Sequence, residues 1–546
     1  MASIDPRVEQ LVSEFEIAAS DRGTLDSHLE EIAQVVMPSY SGSFTSHGEA
    51  QTPGSKRTQH LYDSTAPIAL PRFAAVMESM LTPRGSKWHG LEPEDPALLK
   101  DRATRLWMDE VNDLLFRYRY APSANFSGQN HQIYLGLGAF GTGALFIDEN
   151  SAAPGLRYRA IHLGEIYFFE NHQGVIDKAK RRFRLSPRQC AQQFGEDKLP
   201  PNIKRELGTP GQDKPSVQIL HCVGPRSDME PGRLDYRGKP FASYYIALSE
   251  KVLLREGGYN TFPYAIGRHT LYPGEVYGRS PAMEALPAIK TINEEKKTML
   301  RQGQRVVDPV LLAFDDGVVD GFSLKSGAIN AGGVNKDGHP LVHALPTGSI
   351  VAGDKMMELE RVHIQDAFLT TLFQILTDRP QATATEVIEL VREKGVLLSP
   401  TMGRQQSEYL GPCIDRELDV LSSQLLLPPM PPALREAGGR YKTRYDSPLS
   451  RAQRAEEASG FLRMLEISLK VATEAQQPSA LDWMNLDVAM PELADIHAVP
   501  TRWQNSREQI EQIRSGRAQQ QQTQDAINAA PSVAALLKNA PVGAGV

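Results

Sequence analysis

The sequence predicts a helix-rich α+β fold, and three features predict it. Apolar residues recur at helical spacing over long stretches on both sides of the middle of the chain. Between 142 and 184 the pattern breaks instead into short β-like runs separated by Gly, Asn and Pro, with further strands following to 270. Those runs lack the long strand–helix–strand spacing of a parallel sheet, so the sheet they form is antiparallel. At roughly 150 residues per unit, 546 residues correspond to about three or four units.

Taken in order, residues 7–36 place Leu11, Phe15, Ile17, Leu29, Ile32 and Val35 on helical faces, with a break near Gly23. The Ser-, Gly- and Thr-rich stretch Ser41–Thr58 reads as a flexible loop. Ser64 is placed to cap a helix in which Phe73, Val76, Met77, Met80 and Leu81 fall at i, i+3, i+4, i+7 and i+8; Pro83 and Gly85 stop it. A third helix is expected over 97–119, with Ala103, Leu106, Trp107, Val111, Leu114, Leu115 and Tyr118 on one stripe.

Strands are expected around Ala144–Ile147, Ile166–Phe169, 216–223, 241–248 and 262–270, with a short helix opened by Ser186-Pro187. From Ser280-Pro281 a long helix runs to about Gln304, packing Leu286, Ile289 and Ile292 while Glu294, Glu295, Lys296, Lys297 and Arg301 crowd its other side. A Gly-rich, strand-like stretch, 308–350, separates it from a second long helix over about 354–376, with Phe368, Leu369, Leu372, Phe373 and Leu376 on one face. These two helices and their insert form a hairpin with a small domain at its tip. After the polar loop 377–381, Thr383 and Glu386 have capping-box spacing for a further helix. That helix is interrupted near Gly395–Pro400, resumes through Leu410, Ile414, Leu418, Leu421 and Leu425, is kinked by Pro412, and ends at Pro428–Pro432. The remainder, from about 447, is expected to be helical, with a Gln run at 519–522 and a disordered Ala/Pro/Gly-rich end.

Composition excludes several classes of function. Apolar residues at 41% and charged residues at 23% suit a chain that buries a core. No apolar run approaches the ~18 residues of a membrane span, and the first residues lack the basic and apolar regions of a signal peptide, so a soluble, non-secreted protein is expected. Cys190, Cys222 and Cys413 have no C-x-x-C spacing and read as reduced thiols. With 59 Lys+Arg against 66 Asp+Glu, the net charge of −7 argues against a protein built to grip nucleic acid, though not against one that lets it slide past.

The motifs favour no enzyme. Gly136, Gly138 and Gly141 match the dinucleotide fingerprint G-x-G-x-x-G, but that chemistry needs a strand before the glycines and a helix after them. Here the order is reversed, so the glycines read as close packing at a helix-to-strand join; a nucleotide-binding oxidoreductase is the remote alternative. No P-loop, H-E-x-x-H or G-x-S-x-G motif occurs, and neither metal nor cofactor is expected. His339 and His343 flank Pro340 in a Gly-rich stretch that does not suit a metal pair, and Asp315-Asp316-Gly317 reads as a turn. One basic run, Lys178, Lys180, Arg181, Arg182, Arg184 and Arg188, is either a solvated strand face or a contact for nucleic acid or an acidic partner.

Several blocks together resemble a known family. Tyr62-Asp-Ser-Thr-Ala66 leading to Leu81-Thr-Pro83 and Trp88, and Leu135-Gly-Leu-Gly-Ala-Phe-Gly-Thr-Gly-Ala-Leu-Phe-Ile147, are similar to head-to-tail connector, or portal, proteins of short-tailed (podovirus-type) bacteriophages. So are Tyr277-Gly-Arg-Ser-Pro-Ala-Met283, Ile289-Lys-Thr-Ile-Asn293 and Val307-Asp-Pro-Val310. The last block is Ala384-Thr-Glu-Val387 with Leu398-Ser-Pro400, Gly403-Arg404 and Ser407-Glu408. The blocks run in family order across about 60–425.

The resemblance implies a ring of about twelve subunits at one capsid vertex, forming a channel for double-stranded DNA in packaging, retention and ejection. It implies a wing at 1–280, stem helices at 281–304 and 354–376, a small α/β clip at 305–353, and a tunnel loop at 377–384. A long kinked helix at 385–446 and a helical crown at 447–546 would follow. Implied partners are the terminase packaging motor, which supplies the ATPase, tail adaptor and tail tube proteins, and major capsid and scaffolding proteins. The implied locations are the virion and, during assembly, the host cytoplasm. Twelve copies at −7 carry about −84, so the ring would repel phosphate. Candidate channel residues are Lys296, Lys297, Arg301, Asp378, Arg379 and Gln381; the bland reading of the first three is pairing with Glu294 and neighbouring acids. Candidate clip contacts are Asp315, Asp316, Lys325, Lys336 and Asp337. The other alternative is a capsid or tail protein without a channel.

Overall fold

The computed structural model describes residues 5–45, 54–308, 311–313, 323, 325, 327–330, 333–344, 350–370, 400–446, 448–474, 479, 482–496, 499, 503–505 and 507–538. In chain order it begins with helices α1 (Pro6–Asp21), α2 (Gly23–Val36) and α3 (Thr65–Leu81), strand β1 (His89–Pro93), and helices α4 (Arg102–Arg119) and α5 (Phe126–Phe140). Strands β2 (Thr142–Glu149), β3 (Leu156–Ile161), β4 (Ile166–Glu170) and β5 (Ile176–Leu185) lead to helices α6 (Pro187–Phe194) and α7 (Pro201–Glu206). Strands β6 (Val217–Pro225), β7 (Phe241–Ala247), β8 (Val252–Tyr259) and β9 (Tyr264–Arg268) precede the long helix α8 (Pro281–Val307). Then come β10 (Leu311–Ala313), β11 (Val342–Ala344), α9 (Ile350–Ala367), the helix Gly411–Ser423 and β12 (Tyr441–Tyr445). No described helix is long and apolar enough to cross a membrane.

The chain divides into two compact units, Met1–Trp88 with Leu115–Leu426, and His89–Leu114 with Leu427–Val546. In the first, β3-β2-β9 form a three-stranded sheet and β4-β5-β6-β7-β8 a five-stranded one, with every pairing antiparallel, as expected. Alternation along the strands gives the larger sheet two apolar faces. Leu220, Cys222 and Ile246 pack on Val8, Val12 and Phe15 of α1, while Ile219, Tyr245 and Phe183 pack on Cys190 and Phe194 of α6 and Ile203 of α7. The second unit pairs β1 with β12, and continues with the helices Pro448–Glu474, Leu486–Ile496 and Arg507–Lys538.

Local signals largely placed the helices. The break near Gly23 falls between α1 and α2, and Ser186 and Gln189 form the full capping box of α6. Ser64 occupies the cap position of α3, but the bond comes from its neighbour: the Thr65 amide donates to Asp63 Oδ1 at 2.8 Å. The expected helix 97–119 begins later, at Arg102, because Asp101 turns the chain and its Oδ2 accepts from the Thr104 amide at 3.0 Å. Its buried line is Thr104, Met108, Val111, Leu115 and Arg119, and Ala103 is exposed.

Three expectations need correction. The second long helix starts at Ile350 and its described part ends at Ala367, with Leu369 in the left-handed region at φ 57°. The helix through Pro412 absorbs the missing proline amide in a π-turn over Gln405–Leu410, where the Gly411 amide reaches back to Gln406 O. It ends at Ser423, and Leu425 is 89% exposed rather than in the core. Strands β1, β8 and β12 had no sequence assignment. Thr383, Glu386 and the segment Gly395–Ser399 lie outside the described residues.

The glycines of the dinucleotide-like motif sit where α5 turns into β2, in the reversed order read from the sequence. A Cβ on Gly138 would stand 2.7 Å from Leu70 and Phe73 of α3, so only glycine lets the two helices meet there. Gly141 caps α5 at φ +73°, and a Cβ there would stand 2.3 Å from Gly278 O, just before α8. Gly141→Ala is expected to cost roughly 2–4 kcal/mol in urea denaturation, left-handed strain and clash combined. Gly174→Ala, at φ +75° with nothing within 4 Å, should cost only about 1 kcal/mol.

Candidate functional site

Helix α8 is anchored in the core at its start, while its second half packs on α9 with no fully buried side chain. Ser280 Oγ accepts from the Met283 amide at 3.0 Å and donates to Ala139 O at 2.9 Å, tying the cap to α5. Pro281, Ala282, Ala285, Leu286, Ile289, Ile292 and Asn293 are buried. Asn293 then closes the packed half: its Oδ1 accepts from the amides of Tyr62 and Asp63, and its Nδ2 donates to His60 O. No side chain of α8 beyond Asn293 is buried. Leu300, Val306 and Val307 are exposed there, as are Met356, Leu359 and Val362 on α9, while Met357, Ile364 and the following Phe368 face the core.

The candidate cations on α8 differ in their surroundings. Lys297 donates to Glu294 Oε1 at 3.0 Å and lies 5.6 Å from the Tyr62 ring centroid, so its bland reading holds. Lys296 and Arg301 have no carboxylate partner among the described residues. On α9, Arg361 is engaged by Glu358 and by Asp63. Between the helices, β10 and β11 form a two-stranded hairpin, and Lys325, Lys336 and Asp337 are exposed. Asn335 Oδ1 accepts from the amides of Asp337 and His339, which builds the turn that presents them. Asp315, Asp316, Asp378, Arg379 and Gln381 lie outside the described residues. No cluster of three or more potential metal ligands occurs among the described residues.

The basic run on β5 is corrected on both of its readings. Strand alternation sends Lys178 and Lys180 toward α1, where both Nζ atoms donate to Glu14 Oε2, at 2.6 and 2.8 Å. Lys180 also donates to Leu11 O and is fully buried, so it is neither solvated nor offered to DNA. Arg182 follows on the same face, 5.3 Å from the Phe15 ring centroid. Arg181, on the opposite face, is also buried and donates to Glu165 Oε2 at 2.9 Å. Only Arg188, paired with Asp213 at 2.7 Å, is exposed in the manner expected. Glu14 lies far from β5 in sequence and Glu165 just before the neighbouring strand β4, and no local spacing announces either.

Sequence reasoning also missed a buried cluster around Glu417. Arg119 Nε donates to its two oxygens at 3.0 and 3.2 Å, and Tyr158 OH donates to Oε1 at 2.7 Å. Cys413 Sγ lies 3.2 Å from the same oxygen. Burial and then the adjacent Glu417 charge push the Tyr158 and Cys413 pKa values well up, so both stay protonated donors.

Comparison with known proteins finds relatives that match most of the chain. The model of the family described as "Bacteriophage head to tail connecting protein" matches residues 8–503. The chain is 29% identical over 532 residues to a "Probable portal protein" of Bordetella phage BPP-1, covering 94% of this chain and 91% of that one. It is 26% identical over 529 residues to a "Portal protein" of Salmonella phage epsilon15, covering 95% and 92% respectively.

The β5–α1 clamp generates a pH-dependent expectation. Burial alone would raise the Glu14 pKa, but the hydrogen bonds from Lys178 and Lys180 outweigh it and hold the group at about 2, below its ordinary 4.5. Its contribution to stability is therefore complete above pH ~4.5 and lost as pH falls toward about 2. Glu14→Gln is expected to lower the melting temperature at pH 7 and to flatten its decline between pH 4.5 and 2 in thermal scans.

Proposed function

The chain belongs to the family of bacteriophage head-to-tail connecting proteins and serves as a phage portal, and from this we propose how its parts act. About twelve copies close into a ring at one capsid vertex and form the channel through which double-stranded DNA is packaged, retained and ejected. Residues 1–280 form the wing, α8 and α9 the stem, and residues 305–353 the clip. The tunnel loop is 377–384, residues 385–446 return toward the wing, and the crown is 447–546. The ring works in the virion, after assembly in the host cytoplasm with major capsid and scaffolding proteins.

One observation carries this reading: the outer halves of α8 and α9 leave apolar surface uncovered. Leu300, Val306, Val307, Met356, Leu359 and Val362 are all at least 42% exposed. Burying such a side chain contributes about 1.5–3 kcal/mol, and equivalent helices of neighbouring copies in a closed ring would cover them. Lys296 and Arg301, without carboxylate partners among the described residues, then form rings of positive charge in a channel whose wall is otherwise acidic. Such rings touch phosphate weakly and without register, which permits sliding. Asp378, Arg379 and Gln381 approach the DNA from the tunnel loop. Asp315, Asp316, Lys325, Lys336 and Asp337 meet the packaging motor during filling and tail proteins afterwards. The motor supplies the ATP hydrolysis; the portal itself is a structural channel.

Light scattering of the purified protein is expected to give about 720 kDa, twelve times 60.3 kDa, with a central hole in stained particles. A compact dimer or tetramer without a hole would refute the channel. For the stem, Lys296→Ala with Arg301→Ala is expected to leave ring mass unchanged and to alter the rate or salt dependence of DNA ejection. Ejection identical to wild type across salt concentrations would remove these two residues from the channel wall.

A further inference from the structure

Between the three-stranded and five-stranded sheets lies a cleft of about 650 Å³ that the portal reading does not use. That volume is in the range of small-molecule sites and far exceeds what a single ion needs. On one wall, β3 presents Arg157 and Arg159 two residues apart, opposite Asp148 and Phe146 of β2 in the strand register. On the other are Arg181, Phe183, His221 and Tyr245, and Gln193 of α6 closes one side.

The charges of the cleft are unevenly satisfied. Arg181 is held by Glu165, and Asp148 lies 3.6 Å from Arg416. Arg157 donates to Ser123 O at 2.7 Å. Arg159 makes no hydrogen bond or ion pair among the described residues. Arg159 is exposed to solvent, yet partial desolvation by the walls, and next the nearby Arg181, lower its pKa, and Glu165 offsets only part of this. An arginine held near a second arginine, with only water to accept from it, gains charge-assisted hydrogen bonds from a bound anion, which also screens the repulsion.

The remaining lining sets aromatic rings beside Gln129, Glu149 and Ser151. His221 stacks on Tyr245 with ring centroids 4.0 Å apart at 6°, fixed by Nδ1 against Tyr264 OH and Nε2 against Ser243 Oγ. Burial pushes the His221 pKa well below its ordinary value, so the ring is neutral and, packed against Tyr245, brings no charge to the cleft. The cleft does not invite a β-strand. Two amides of the outer β3 strand are already taken, Tyr158 by Ala124 O and Ala160 by Gln129 Oε1.

We propose that this cleft is a ligand site for a small organic oxyanion, a phosphate or carboxylate joined to a flat apolar group. Arg159 takes the oxyanion, Arg157 and Gln193 flank it, and Phe146 and Tyr245 contact the apolar body. The site belongs to a single chain and does not depend on the ring.

The test is calorimetric titration of the full-length protein with phenyl phosphate and, separately, benzoate, with inorganic phosphate for the oxyanion alone. Saturable binding of one or both aryl anions is expected, at one per chain and tighter than inorganic phosphate; the tighter of the two identifies the oxyanion. Arg159→Ala should weaken that binding about tenfold or more, and Arg188→Ala, an exposed arginine outside the cleft, should not change it. The absence of saturable binding of either aryl anion to the wild type overturns the proposal without any variant. Equal affinity in Arg159→Ala and wild type overturns it as well.

Discussion

The buried ion pair between Arg119 and Glu417 is the constraint on which the first unit is organised. Both side chains are fully buried, and taking two charges out of water costs several kcal/mol per ion unless geometry and further hydrogen bonds compensate. Here they do. Glu417 accepts from Arg119 and from Tyr158, and the Arg119 guanidinium lies over Trp88 at 4.6 Å, with Phe116 and Phe126 at 5.0 and 5.7 Å. One cluster thereby joins the end of α4, the strand β3 and the helix Gly411–Ser423, three elements with no neighbour relation in sequence. Displacing α4 or the helix Gly411–Ser423 would strand a charge in an apolar interior.

Smaller polar clusters extend the same logic. Arg268 of β9 is held by Glu408 at 2.8 Å and also by Glu170 of β4, which couples the two sheets to the π-turn. Tyr409, Asn130, Thr82 and Tyr134 form a buried hydrogen-bonded chain from that turn through α5 to the end of α3. Arg22 donates to the carbonyls of Leu163 and Gly164, lies 3.8 Å from the Tyr167 ring centroid, and sits beside Asp26. Together these give α8 and α9 a base whose charges are internally matched.

The cations show why charge runs are weak functional signals. In β5, lysines and arginines at consecutive positions look alike on paper, yet alternation sends them to opposite faces and into different partners. In α8, Lys297 meets Glu294 three residues away, a relation the helix period makes visible, whereas Lys296 and Arg301 point elsewhere. The π-turn before Pro412 belongs to the same class. A missing amide predicts a disturbance, but whether the chain kinks or widens depends on what packs around it; here Gln405 Nε2 donates to Arg268 O at 2.7 Å.

By itself the sequence determined the helices, most strands of the large sheet, the capping box at Ser186, the close-packed glycines between α5 and β2, and the family blocks. All of these rest on interactions within a few residues or on a period of 2.0 or 3.6, which a single chain displays directly. Tertiary structure decided the rest. The pairing of His89–Pro93 with Tyr441–Tyr445, the acid that neutralises Lys180, and the partner of Arg119 all join segments far apart in sequence. Burial makes each of those choices expensive to reverse, and burial is a property of the assembled fold that no local window contains.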